Sequence, residues 1–373
     1  MHLGFDAKRL FNNFTGLGNY SRTLLSDLSE RAPDNSYHLF SPTAPRKAET
    51  AFFLDSPSFQ VVTPERGRQF FWRSWGMKKD LRRQKIDIYH GLSHELPLGI
   101  AKSGISSVVT IHDLIFRHYS KQYKIWDNYI YDQKFSYACR NADAVVAISE
   151  STKQDIRRFY GTPEDKIHVI YQSCDERFLL QRPASTKEEV RQRYDLPAEF
   201  SLNVGSLIKR KNLLGIVESM AILPIDLRHP LVIVGGGGAD YRKQVEARAK
   251  ALGVLNLLHF RKVSFADLPT VYQCAKAFLY PSFYEGFGIP VIEALNSGVP
   301  VITSNCSSLP EAAGPGSLLV DPASPAEIAE AWEKIVTDEA LANQLRTKGF
   351  AYAERFRADV VVPELLDLYG KLV

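Results

Sequence analysis

The sequence predicts an α/β protein made of two doubly wound domains, each a parallel sheet covered by helices on both faces. Three observations lead there. At 373 residues the chain exceeds what one hydrophobic core comfortably holds, so a division into two domains is expected. Short apolar runs separated by helical patterns recur through the first half, the alternation that builds a buried parallel sheet. The same alternation begins again beyond a polar, proline-bearing stretch at residues 181–185, Q-R-P-A-S. The domains are therefore expected at 1–180 and 185–354, with a closing helix at about 355–373.

In chain order, the first sheet should draw its strands from 3–5, 37–40, 60–63, 86–90, 107–111, 144–148 and 168–171. The second should use 201–204, 231–234, 257–260, 277–280, 300–303 and 317–320. No fixed-period repeat or low-complexity tract interrupts them. Sheets of this kind gather ligands at the carboxyl ends of their strands, so the residues just past each strand carry the functional argument.

Composition narrows the class. Hydrophobic residues make up 45% and charged residues 24%, ordinary for a soluble globular protein. No apolar run reaches the length of a membrane span. The opening M-H-L-G-F-D reads as a first strand, not as a signal peptide. Cys139, Cys174, Cys274 and Cys306 lie far apart without a C-x-x-C pair, which suits single thiols in a reducing compartment. A cytoplasmic protein is expected. Net charge is only +4, yet residues 66–85 hold eight Lys or Arg against Asp80 alone, with Phe70, Phe71, Trp72 and Trp75 interleaved. That segment fits an anionic membrane surface at the inner face, or a solvated helix with its aromatics in the core. Nucleic acid is not expected as a partner.

The densest chemistry follows the strand at 277–280. Residues 281–293 read P-S-F-Y-E-G-F-G-I-P-V-I-E. Gly286 and Gly288 favour a loop, Pro290 suits the start of a helix, and Gly298 with Pro300 supply its stop. Glu285 then lies in the loop and Glu293 in the helix's first turn. Backbone N–H groups at 289–292 would form an anion site. A phosphate there would leave Glu285 beside the ligand's next group and Glu293 facing hydroxyls.

Residues 203–212, N-V-G-S-L-I-K-R-K-N, end a strand at Gly205 and place Lys209, Arg210 and Lys211 before a helix from Leu213. Cations at a helix start oppose its dipole and want a reason. Beside a diphosphate leaving group they would neutralise developing charge without a metal. Gly235 opens a four-glycine run after another strand, without the G-x-G-x-x-G spacing. Near the N-terminus, N-F-T-G-L-G-N-Y at 13–20 sets Gly16 and Gly18 before a helical pattern starting at Ser21. Backbone could approach a phosphate or sugar there; a plain tight turn explains it equally well. His112 and His90 close the strands at 107–111 and 86–90. No D-x-D, P-loop, G-x-S-x-G or clustered His/Cys spacing occurs.

Together these strings resemble the retaining glycosyltransferases of family 4. The resemblance rests on E-G-F-G-x-P between Glu285 and Glu293, on T-G-x-G-x-Y, on H-D-L-I-F at 112–116, and on R-K-N at 210–212, and it runs over nearly the whole chain. It implies the GT-B fold, two Rossmann-like domains facing a central cleft, with the C-terminal helix packing back on the first. It implies metal-independent, retaining transfer of a hexose from a nucleoside diphosphate sugar to a glycan or lipid-linked glycan, with no cofactor. The branch of the family whose loop reads T-G-x-G-x-Y includes mannosyltransferases of surface-polysaccharide assembly, so the resemblance makes GDP-mannose the first donor expected and UDP-sugars the second.

By the same resemblance, Arg210 and Lys211 hold the diphosphate beside Gly205 and Ser206, aided by backbone at Gly286, Phe287, Gly288 and Ile289. Glu293 would meet the ribose, Glu285 the donor sugar, and His112 that sugar from the other domain. Gly16 and Gly18 would lie over the diphosphate, and Gly235 and Val263 near the base. Asn19, Tyr20 and His90 are acceptor-side candidates. Ser206 departs from the pattern, because many members carry Arg there. No second carboxylate is placed as a nucleophile, which favours same-face displacement with the leaving phosphate as base. A sugar-nucleotide epimerase of the same architecture and a non-catalytic nucleotide- or glycan-binding protein are the alternatives.

Overall fold

The structure is a computed structural model that describes residues 1–65, 71–120 and 124–373. The chain divides into two units: Met1–Ser173 with Phe356–Val373, and Cys174–Arg355.

The first unit carries a seven-stranded sheet: β1 His2–Asp6, β2 Ser36–Phe40, β3 Phe59–Val62, β4 Ile88–Gly91, β5 Ser106–Ile111, β6 Ala144–Ala147 and β7 Ile167–Val169. Their order is β3-β2-β1-β4-β5-β6-β7, all pairs parallel. The second unit carries six: β8 Ser201–Val204, β9 Leu231–Val234, β10 Leu258–Arg261, β11 Ala277–Tyr280, β12 Val301–Ser304 and β13 Ser317–Val320. These run β10-β9-β8-β11-β12-β13, again all parallel. Each sheet reverses direction once, between β1 and β4 and between β8 and β11. That reversal opens a crevice at the carboxyl edge, where ligands of such sheets bind.

Two boundaries differ from the sequence reading. The first unit ends at Ser173, not at 180, because Phe178 packs edge-on against Tyr272 of the second unit, ring centroids 5.6 Å apart. Residues 181–185 are no linker: Pro183 precedes a helix, Ala184–Arg193. The closing helix Ala358–Gly370 belongs to the first unit. Its Val361, Val362, Leu365 and Leu368 share a core with Leu24, Leu25 and Leu28 of the helix Gly16–Arg31. That second helix begins at Gly16, five residues before the expected Ser21. Asn13 explains the early start, since its Oδ1 accepts from the N–H groups of Thr15 (3.0 Å) and Gly18 (3.1 Å).

In the basic segment, Arg66, Arg68 and Phe70 lie outside the described residues. The rest divides between the two readings. Trp72 is buried against Phe40, its Nε1 donating to Asp80 at 2.7 Å, while Phe71 and Trp75 are 75% and 63% exposed. Among the described residues no helix is long and apolar enough to cross a membrane.

Candidate active site

The loop after β11 is built backbone first. Gly288 takes φ +117°, which an L side chain rarely adopts, and a Cβ there would stand 2.9 Å from Leu309 Cδ2. Ser307 and Ser308 strap the loop from across the sheet edge. The Glu285 N–H donates to Ser307 Oγ at 3.1 Å, and Ser308 Oγ lies 2.9 and 2.8 Å from the carbonyls of Glu285 and Phe287. The helix then runs Ile289–Asn296. Glu293 is its fifth residue and so lies in the second turn, one turn later than expected. The expected row of N–H donors at 289–292 is also shorter: Pro290 has none, and that of Val291 bonds to the Gly288 carbonyl at 2.8 Å.

Arg210 and Lys211, both expected at the diphosphate, and Glu285, expected at the donor sugar, form one ionic cluster. Glu285 Oε1 stands 2.7 Å from Lys211 Nζ and 2.9 Å from Arg210 Nη1, all three side chains at most 16% exposed. Arg210 also donates to the Tyr284 carbonyl, and Lys211 to the Tyr280 hydroxyl at the end of β11. Burial pushes the Glu285 carboxyl upward. Lys211 and then Arg210 overcome that push and hold it below the usual carboxylate range. The carboxylate is charged at neutral pH.

Local geometry holds the cations in place. Lys209–Lys211 form a single 3₁₀ turn, after which Asn212 adopts φ +57° and caps the helix Leu213–Ile222 through Oδ1 to the Gly215 N–H, 3.2 Å. The Asn212 cap thus separates the cations from the helix they were read as opening. Behind them Gly205 and Gly235 touch: a Cβ on Gly235 would stand 1.8 Å from the Gly205 carbonyl oxygen. Ser206 and Val263 lie past β8 and β10 at the same edge, the first exposed and the second half-buried.

Glu293 is buried and accepts from the Tyr272 hydroxyl at 2.9 Å. Burial raises its carboxyl to about 7, with the Tyr272 bond opposing and Asp175 adding to the rise. Neither Tyr272 nor the Ser307–Ser308 strap was legible beforehand, because each acts across a long sequence separation.

In the first unit His112 follows β5. Its Nε2–H donates to the Leu92 carbonyl at 2.8 Å, and Nδ1 accepts from Gln172 Nε2 at 2.9 Å. Burial lowers it to about 4, so the ring is neutral at pH 7. A sugar contact would have to come from a ring whose nitrogens are both engaged. Tyr20 lies edge-on to His112 with centroids 4.6 Å apart, its hydroxyl 3.2 Å from Thr110 Oγ1. Asn19 Oδ1 accepts from Arg22 at 2.5 Å. Gly16 is exposed with nothing within 4 Å of an added Cβ, whereas a Cβ on Gly18 would stand 1.7 Å from the Asn13 carbonyl oxygen. His90 is not a surface group facing an acceptor. It is 1% exposed and clasped between Tyr369 Oη (2.6 Å) and Thr110 Oγ1 (2.8 Å), which ties the closing helix to the sheet.

Comparison with known proteins identifies the family and the fold. The family model described as "Glycosyl transferases group 1" matches residues 186–351, and "Glycosyltransferase Family 4" matches 14–178. The chain is 28% identical to the O-antigen chain mannosyltransferase B of Escherichia coli, covering all of both chains. It is also 28% identical to the serotype-specific mannosyltransferase WbdA of Escherichia coli over 73% of its own length and 34% of that protein. Among solved structures, Anabaena Alr3699/HepE in complex with UDP superposes with TM-score 0.77 at 17% identity, covering all of both chains. WaaG, a glycosyltransferase involved in lipopolysaccharide biosynthesis, superposes with TM-score 0.73 at 19% identity over 98% of this chain and 99% of its own. With two doubly wound parallel sheets, of seven and six strands, this is the GT-B fold, and the chain belongs to the group 1 and family 4 glycosyltransferases.

Proposed function

We propose that this glycosyltransferase transfers a hexose, mannose from GDP-mannose in the first instance, with retention and without a metal, to a hydroxyl of a glycan or lipid-linked glycan during polysaccharide assembly. The observation that carries the reading is the Lys211–Glu285–Arg210 cluster at the switch point of the second sheet. A diphosphate would draw both cations toward its own oxygens, as charge-assisted bonds to phosphate do. Glu285, relieved of them, would face positive charge developing at the anomeric carbon. Glu293 would accept from the ribose hydroxyls, and Gly16 and Gly18 would let backbone approach the diphosphate. Arg210 and Lys211 would stabilise the leaving group as it departs, and that group would take the acceptor's proton.

Mannose is favoured because two of the similar proteins are named as O-antigen mannosyltransferases. The solved neighbour with UDP keeps a uridine donor as the second choice. Phe71 and Trp75, with Lys78, Lys79, Arg82 and Arg83 beside them in sequence, would hold the protein against the anionic inner face of a membrane, where lipid-linked acceptors lie.

The test is nucleoside diphosphate release from GDP-, UDP- and ADP-sugars in EDTA, followed by NMR of the transferred product. Release from GDP-mannose, lost in Lys211→Ala and Glu285→Ala and giving an α-linked product, supports the reading. Dependence on added metal, a β-linked product, or interconversion of the donor without an acceptor overturns it.

A further inference from the structure

Two pairs of cations gather near the end of β1 in the first unit: Arg73 with Lys134, and Lys8 with Arg9. Asp6 ends β1 beside the switch point with β4. Arg73 bonds to Asp6 and stands 3.1 Å from Glu95, and Lys134 stands 3.2 Å from that same Glu95 oxygen. Gly91 fixes the geometry, because a Cβ there would lie 2.2 Å from the Glu95 carbonyl oxygen; the loop folds back over the end of β4. Both carboxylates are thus taken by Arg73 and Lys134.

Lys8 and Arg9 open the short helix Lys8–Asn12 directly after β1 and are the second pair. Both are half-buried, and among the described residues neither side chain has a hydrogen bond or ion pair. Burial, then the neighbouring Arg73, holds the Lys8 ammonium below its ordinary range; Arg9 adds to this, and Glu95 and Asp6 oppose it. His90, His94 and His112 are kept neutral by burial, so they add no charge of their own. Adjacent half-buried cations that lack an ion-pair partner of their own are stabilised when an anion joins them.

We infer that Lys8 and Arg9 form an anion subsite that recognises a phosphate or diphosphate ester carried by the acceptor. The inference rests on the transferase reading above, in which Arg210 and Lys211 of the second unit serve the donor diphosphate. Arg9 offers the planar fork that pairs with phosphate oxygens, and Lys8 a point charge beside it. A monoester on a sugar and a diphosphate joining a glycan to a lipid present the same chemistry.

Transfer is measured to three mannoside acceptors alike except at the reducing end: a methyl glycoside, a phosphate monoester and a short-alkyl diphosphate. The expected result is a wild-type preference of at least tenfold in KM for one charged acceptor, erased in Arg9→Gln and partly restored in Arg9→Lys. The acceptor with the larger preference identifies the source. An equal rise on charged and uncharged acceptors, no wild-type preference, or a rise confined to the donor's KM overturns the inference. Binding of inorganic pyrophosphate by calorimetry stands apart from transfer. In a Lys211→Ala background, Arg9→Gln should weaken it at least fivefold, and unchanged binding overturns the subsite even if no acceptor is ever turned over. Absence of transfer by the wild type with pyrophosphate binding intact would instead count against the transferase reading.

Discussion

A single oxygen of Glu285 serves two cations, Lys211 at 2.7 Å and Arg210 at 2.9 Å, within a buried loop. Removing one partner of a buried ion pair strands charge, whereas neutralising the group together costs much less. Lys211→Ala should therefore lower stability toward the lower end of the about 3–5 kcal/mol typical of a broken buried pair, since Arg210 stays. The double change Lys211→Met with Glu285→Gln should cost less than the sum of its parts. Urea unfolding of the four species closes the cycle; simple additivity would show that the contact carries no coupling.

Glu293 makes stability depend on pH in a definite direction. Its carboxyl rises from 4.5 to about 7 through burial, so the folded chain holds the proton more tightly than the unfolded one. The favourable state exists below the unfolded value, and stability falls as pH climbs from about 4.5 through about 7, by up to about 3 kcal/mol. Glu285 runs the other way: its carboxyl lies low when folded, and its contribution is lost on acidification. Glu293→Gln should flatten the pH 5–7 portion of the unfolding profile. A slope identical to the parent's would refute the assignment.

The two loop glycines near the N-terminus should respond oppositely. Gly18→Ala drives a Cβ into the Asn13 carbonyl and should cost at least about 1–3 kcal/mol, as overpacking does. Gly16→Ala meets open space and should leave stability within about 0.5 kcal/mol. Under the proposed function it should still reduce turnover, because the vacant side of Gly16 is where ligand would come close. Thermal unfolding beside initial rates separates the two effects.

Tyr369→Phe removes one hydroxyl and leaves His90 Nδ1 without its partner in a buried place. The expected loss is about 1–3 kcal/mol, the cost of an orphaned polar atom. Denaturant midpoints would read it, and no change would mean that water replaces the hydroxyl.

The exposed Phe71 and Trp75 predict binding to anionic vesicles. Co-sedimentation should be stronger with anionic than neutral lipid, weaken with salt, and fall several-fold in a Phe71→Ala, Trp75→Ala double variant. Equal binding to both lipids would sink the electrostatic idea.

Every strand found in the structure was legible in the sequence, the central ones because a strand buried on both faces must be a short apolar run such as L-V-I-V at β9. The string E-G-F-G-I-P and the cations at 209–211 were also expected at the sheet edge where Glu285, Arg210 and Lys211 meet. What escaped were the supports. Ser308 strapping Glu285, Tyr272 meeting Glu293 and Gln172 meeting His112 span 23, 21 and 60 residues, and nothing local marks either partner. His90 was misread for a related reason: its strand-end position suits a ligand group, but a helix 279 residues away covers it. The helix start at Gly16 was missed because glycines argue for a loop, while the cap that overrules them comes from Asn13.

The chain leaves the first unit at Ser173 and re-enters it at Phe356, so the whole second unit is an insertion within the first. During synthesis the seven strands of the first sheet emerge from the ribosome long before Val361, Leu365 and Tyr369, which complete their core. The inserted unit, contiguous from Cys174 to Arg355, has everything it needs earlier. The usual N-terminal-first order of domain folding is therefore inverted for the final step. The first unit must wait, one helix short and with an apolar face uncovered, until the helix Ala358–Gly370 arrives.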